Sequence, residues 1–158
     1  MARESDSSAA RIGELLADDA RTLAVAESLT GGELSARFAS TPGSSDWYLG
    51  AVVAYASDVK FDVLGVPPGP VVSEPAAAAM AEGIVALLDA DVGLAVTGAA
   101  GPSPQDGCEP GTVWFAVHDA EGTHTRFEQF DGTPEKVVDR TVRLAIDWLC
   151  ERLARPTG

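Results

Sequence analysis

Leu23-Ala24-Val25-Ala26-Glu27-Ser28-Leu29-Thr30-Gly31-Gly32 is an apolar run that stops at an acid and a serine, passes two glycines and gives way to a helical pattern. A short apolar run suits a buried strand, and paired glycines permit the tight turn a strand needs before a helix starts. The stretch reads as strand, turn, helix, with the strand over residues 22–26 and the Ser28 hydroxyl at the junction. In small α/β domains such a junction lies beyond the carboxyl ends of the strands, where ligands bind.

Working outward, Ala9, Ile12, Leu15, Leu16 and Ala20 fall at helical spacing and predict an amphipathic helix after a polar, disordered segment 1–8. Residues 33–39 predict the helix that follows the glycines, and Ser40-Thr41-Pro42-Gly43-Ser44-Ser45 is a loop expected to line a pocket. The valine-rich run 50–56 predicts a strand and 57–64 a short helix, so Tyr55 and Lys60 straddle a strand end. Residues 65–72 are an irregular connection, and Ser73 caps an alanine-rich helix with Glu74 and Pro75 in its first turn. A third buried strand over 91–97 empties into Gly98-Ala99-Ala100-Gly101-Pro102. Residues 112–118 and 123–130 alternate as two strands of a hairpin, and Thr133-Pro134 starts a closing helix.

These elements predict a single α/β domain spanning 1–158. Its architecture is a three-layer α/β/α sandwich with a mixed, mainly parallel sheet and a C-terminal antiparallel hairpin. The loops after Ala26, Ala56 and Thr97 are expected to meet at one edge. The composition, 158 residues and 46% hydrophobic, is enough for one stable core. A net charge of −13 opposes nucleic acid or an anionic membrane as a partner. Cys108 and Cys150 are far apart and outside any CxxC, and no leader or spanning segment stands out, so the expectation is a soluble cytoplasmic protein with reduced thiols. The apolar helices and hairpin edge leave room for a homo-oligomer.

A serine at a strand-to-helix turn is most often a cap or a backbone satisfier. Two features favour chemistry at Ser28. The Thr30-Gly31-Gly32 backbone offers N–H groups suited to an oxyanion or phosphate, and Tyr55 and Lys60 converge on the same sheet edge. A serine needs a base, and the two histidines, His118 and His124, fall in the hairpin away from that edge. The remaining known arrangement is Ser–Lys, with Lys60 made neutral by burial among Val59, Phe61 and Val63. A solvated helix lysine is the alternative. No phosphate-loop, dinucleotide or nucleophile-elbow motif is present, nor a Cys/His cluster, so neither a cofactor nor a metal is expected.

Several motifs in order resemble one family. Ala26-Glu27-Ser28-Leu29-Thr30-Gly31-Gly32, Gly43-Ser44-Ser45, the Tyr55 to Lys60 spacing, Val72-Ser73-Glu74-Pro75, Thr97-Gly98-Ala99-Ala100-Gly101-Pro102 and Gly111-Thr112-Val113-Trp114 together resemble the C-terminal domain of the competence/damage-inducible protein CinA. The resemblance runs from about residue 14 to 153. It implies a nicotinamide-nucleotide amidohydrolase, which converts nicotinamide mononucleotide to nicotinic acid mononucleotide and ammonia. Ser28 is then the nucleophile, Lys60 its base, and Tyr55 a hydrogen-bond partner of either. Glu27, Thr30, Gly31, Gly32, Ser44, Thr97, Gly98, Gly101 and Arg140 are expected to bind substrate. Leu29 stands where many members have Cys, and Pro134 and Val138 stand where arginines commonly meet the phosphate, with Arg140 as the substitute. The N-terminal domain to which this module is often fused is absent from the chain, so only the amidohydrolase activity is implied. An amidase for another small amide and a catalytically silent nucleotide-binding or protein-interaction module are the competing readings.

Overall fold

A computed structural model describes residues 4–155. Helix α1 (Glu4–Asp18) is followed by β1 (Leu23–Glu27), α2 (Glu33–Ala39), β2 (Tyr48–Val53), α3 (Ser57–Asp62) and α4 (Glu74–Leu88). Then come β3 (Val92–Gly98), β4 (Thr112–Asp119), β5 (Gly122–Gln129) and α5 (Pro134–Leu153). Residues 4–8 belong to α1, which corrects the expectation that they are disordered; residues 1–3 lie outside the described residues.

The five strands form one sheet in the order β2-β1-β3-β4-β5. β1 pairs in parallel with β2 and β3, while β3–β4 and β4–β5 are antiparallel. The sheet is therefore mixed, with a parallel half that carries the site and an antiparallel half closed by the hairpin. Chain connections leave β1 toward β2 on one side and reach β3 on the other. That reversal makes the carboxyl edge between β1 and β3 the crevice of the sheet.

Period-two alternation sorts the strands onto two cores. Leu23, Val25, Val92, Leu94, Val96, Val113, Phe115 and Val117 face α1, α2 and α5. Ala24, Ala26, Ala95 and Ala116 face α4. The second face is small because α4 lies close against it: a Cβ on Gly93 would meet the Ala81 carbonyl at 2.5 Å. On the far side of α4, a Cβ on Gly83 would collide with the Leu64 carbonyl, so this glycine lets the segment after α3 pack down. α4 starts as expected, with Ser73 Oγ accepting from Ala76 N–H at 3.2 Å. Among the described residues no helix is long and apolar enough to cross a membrane.

Candidate active site

β1 delivers Glu27 and Ser28 to the crevice, and Glu27 is fully buried there. Its carboxylate accepts from the Thr30 hydroxyl at 2.6 Å and from the backbone N–H groups of Gly32, Leu34 and Ser35 at 3.2, 2.9 and 3.0 Å. The first turn of a helix has N–H groups without intrahelical acceptors, and a carboxylate is their strongest partner. Glu27 thus staples the start of α2 to the end of β1. This corrects the expectation that Glu27 and Gly32 bind substrate, because the Glu27 carboxylate and the Gly32 N–H are spent on each other, and it leaves Thr30 only its backbone N–H. Gly31 N–H donates to the Ser28 carbonyl at 3.1 Å, so it is not an open donor either. The N–H groups of Leu29 and Thr30 have no acceptor among the described residues, so the open backbone donors of this turn lie one position nearer Ser28 than expected.

Lys60, on α3, is 1% exposed. Its Nζ donates to the carbonyls of Ala54 at 2.8 Å and Tyr55 at 3.3 Å. Ala54 N–H in turn donates at 2.7 Å to the carbonyl of Glu27, the residue before Ser28. A parallel ladder continued by one step would bring Leu29 N–H to the Ala54 carbonyl. Lys60 occupies that acceptor instead, placing its amine where β1 turns through Ser28. Ser28 and Lys60 share no direct hydrogen bond, and among the described residues no carboxylate lies within ion-pair distance of Nζ. Burial holds the Lys60 amine below the usual lysine range, with the more distant Asp106 charge pulling it back up.

Ser28, itself 6% exposed, opens onto a cavity of about 270 Å³ lined also by Leu29, Tyr55, Gly98, Gly101 and Gln105. An adjoining hollow of about 420 Å³ shares Leu29, Tyr55 and Gly101 and is closed by Pro134, Glu135 and Val138 of α5. The glycines 98 and 101 thus sit where the sequence places them. Adding a side chain at Gly98 would meet the Thr112 carbonyl at 2.7 Å, and Gly101 has φ +97°, so both positions need glycine.

Four expected roles are corrected. The Tyr55 side chain is 70% exposed at the cavity rim and bonds neither Ser28 nor Lys60; its carbonyl serves Lys60 instead. Thr97 is buried, and its hydroxyl donates to the Val71 carbonyl at 2.6 Å, tying the 65–72 connection to β3. Ser44 lies in the one-turn helix Ser44–Asp46 ahead of β2, at the opposite edge of the sheet, with its hydroxyl on the Ala39 carbonyl. Arg140 is exposed on α5, donating to the Asp131 carbonyl at 2.8 Å, and lines neither hollow. Reading the sequence also missed Asp106, whose Oδ2 accepts from Val71 and Val72 N–H at 2.8 and 3.2 Å and fixes the wall next to Lys60. The Asp106-Gly107 pair marks a turn, but nothing local says what it holds.

A family model described as the CinA C-terminal domain matches residues 5–153. A CinA-like protein of Frankia casuarinae is 41% identical over 145 residues, covering 89% of this chain and 34% of the relative. One from Geobacter metallireducens is 39% identical over 148 residues, covering 90% of this chain and 36% of the relative. This chain therefore spans about a third of the length of these curated relatives. Among solved structures, the competence damage-inducible protein A of Klebsiella pneumoniae subsp. pneumoniae superposes with a TM-score of 0.92 at 35% identity, covering 98% of this chain and all of that one. A CinA superfamily protein from Enterobacter cloacae gives 0.93 at 31% identity, covering 98% of this chain and 95% of that one. With the family model matching residues 5–153, nearly all of the 158-residue chain, this chain belongs to the CinA C-terminal domain family.

Proposed function

We propose that this chain is an amidohydrolase that deamidates nicotinamide mononucleotide to nicotinic acid mononucleotide and ammonia, using Ser28 as nucleophile and Lys60 as base. The observation that carries the reading is the pair of carbonyls on Lys60 Nζ. A neutral amine has two N–H donors and one lone pair. Ala54 and Tyr55 take both donors, which leaves the lone pair for a proton from Ser28. A module without chemistry has no use for a buried amine with no carboxylate partner, since such burial costs stability.

The steps follow from that placement. Lys60 Nζ takes the Ser28 proton, directly or through one water, as Oγ bonds to the amide carbon. The carbonyl oxygen becomes an oxyanion facing the N–H groups of Leu29 and Thr30. Collapse breaks the C–N bond, and the proton on Lys60 passes to the leaving nitrogen, giving ammonia. Water, deprotonated by Lys60, then cleaves the Ser28 ester and releases the acid. Gly98 and Gly101 line the floor where the pyridine and ribose would lie.

One observation favours a different amide. Among the described residues no basic side chain lines either hollow, and Glu33 and Glu135 line the outer one, so the phosphate would meet only uncharged donors such as the Gln105 amide, the Ser103 hydroxyl and backbone N–H groups. The test is ammonia release from nicotinamide mononucleotide and a panel of small amides. Formation of nicotinic acid mononucleotide is the expected result. Release only from other amides would replace the substrate, and release from none would favour the silent module.

A further inference from the structure

The opposite edge of the sheet holds another cavity, of about 280 Å³, lined by Arg21, Asp91, Asp119, Glu121, Arg152 and Arg155 among others. The chain has 11 basic residues against 24 acidic ones, so three guanidinium groups around one hollow are a marked concentration. They come from separate places: Arg21 from the turn between α1 and β1, Arg152 from the last turn of α5, and Arg155 from just beyond it.

Three carboxylates line the same hollow, and two of them accept hydrogen bonds from the chain itself while Glu121 does not. Asp91 Oδ2 accepts from the Thr22 N–H and hydroxyl at 2.9 and 3.2 Å, and Asp119 Oδ1 accepts from Glu121 N–H at 2.9 Å. Arg21 pairs with Asp19, which does not line the cavity, at 3.1 Å. Arg152 and Arg155 form no ion pair among the described residues. The Nε atoms of Arg21 and Arg152 are both buried and have no acceptor. Two shielded guanidinium N–H groups without partners are costly, and an acceptor entering the cavity would remove that cost.

We propose that this cavity binds a phosphoryl group. Arginine presents Nε–H and Nη–H as a planar fork that takes two oxygens of one anion at once. Binding would require each side chain to turn that edge toward the hollow, bringing the unpartnered Nε–H to the anion. A phosphoryl group has oxygens for more than one fork, and its greater charge outweighs the nearby Glu121 better than a single carboxylate would. The site is separate from the Ser28 cleft. Asp91 and Gly98 are seven residues apart at either end of β3, about 23 Å at the usual strand rise, too far for one mononucleotide to reach both.

The test is a titration of the ¹⁵N-labelled chain with inorganic phosphate and, separately, with adenosine monophosphate, at ionic strength held constant with chloride. Saturable shifts of the Arg21 and Arg152 Nε–Hε signals are expected, unchanged in Ser28→Ala. Arg152→Gln should weaken the apparent affinity at least tenfold. Arg143→Gln, at an exposed pair with Asp139 on the same helix, should not. Should Arg152→Gln fail to fold, Arg21→Gln carries the same expectation. A response to phosphate alone assigns a free ion, and one to the nucleotide alone assigns a phosphate ester. Shifts that never saturate, shifts confined to the Ser28 cleft, or undiminished affinity in both arginine variants would overturn the proposal.

Discussion

Lys60 Nζ sits 2.8 Å from the carbonyl of Ala54, the residue whose own N–H extends the sheet ladder to Glu27. A side chain six residues downstream thereby finishes a β-ladder, and the amine is carried to the turn that holds Ser28. The contact makes Lys60 a structural cap, and its burial favours the neutral form that the proposed base requires.

The pH dependence follows from that burial. Activity should rise as Lys60 loses its proton, with an acid limb whose midpoint lies below the ordinary lysine value of 10.5. The Asp106 charge favours the protonated amine, so Asp106→Asn should move that limb to lower pH. Asparagine can still accept from Val71 and Val72 N–H, so the wall should persist. A pH–rate profile of the two proteins checks the direction; an unmoved or raised limb would disconnect Asp106 from Lys60.

Stability should show the same titration with the opposite reference. The unfolded chain keeps the Lys60 proton up to about 10.5 while the folded chain loses it earlier, so between those two values folding is favoured by rising pH. Denaturant midpoints of wild type minus Lys60→Met should therefore increase with pH across that window. A flat difference would mean that the amine is not shifted.

Glu27 should matter to folding first. Glu27→Ala strands four donors at the start of α2, and at about 1 kcal/mol or more for each the loss is roughly 3–4 kcal/mol or greater. In a chain of this size that lowers Tm by roughly 6–16 °C. Thermal unfolding measures it, and a change under about 1 kcal/mol would contradict the staple.

The strand, turn and helix around Ser28 were legible because glycine, serine and proline punctuate short apolar runs, and α2 spans Glu33–Ala39 as expected. Lys60 was legible as a residue of the same sheet edge, and its burial bears on the proposed role as base. What local patterns could not show was where polar groups are spent. Glu27 reaches its donors up to eight residues on, Thr97 bonds a carbonyl 26 residues back, and Asp106 holds N–H groups 34 and 35 residues away. Ser44 was misplaced for a related reason: the loop is polar, but only the course of α2 back across the sheet decides which edge it reaches. α1 was read five residues short because its first turns are polar and carry no apolar period.

Phosphate recognition should contribute little at the Ser28 cleft. Arg140→Ala should change KM for nicotinamide mononucleotide by less than about threefold, because a charge-assisted bond worth 1.5–3 kcal/mol has no route from Arg140 into the hollows. Comparison of kcat/KM for the nucleotide and its dephosphorylated nucleoside should give less than about a tenfold difference on the same ground. A larger loss on either change would place a phosphate contact on Arg140 or elsewhere.

The most direct test of the Ser28 and Lys60 claim is ammonia release from nicotinamide mononucleotide by wild type, Ser28→Ala and Lys60→Met, each confirmed folded by circular dichroism. The account predicts turnover in wild type and a fall in kcat of about 10²-fold or more in both variants, in the range expected for loss of a nucleophile or a general base. Turnover near the wild-type rate in either folded variant would contradict it.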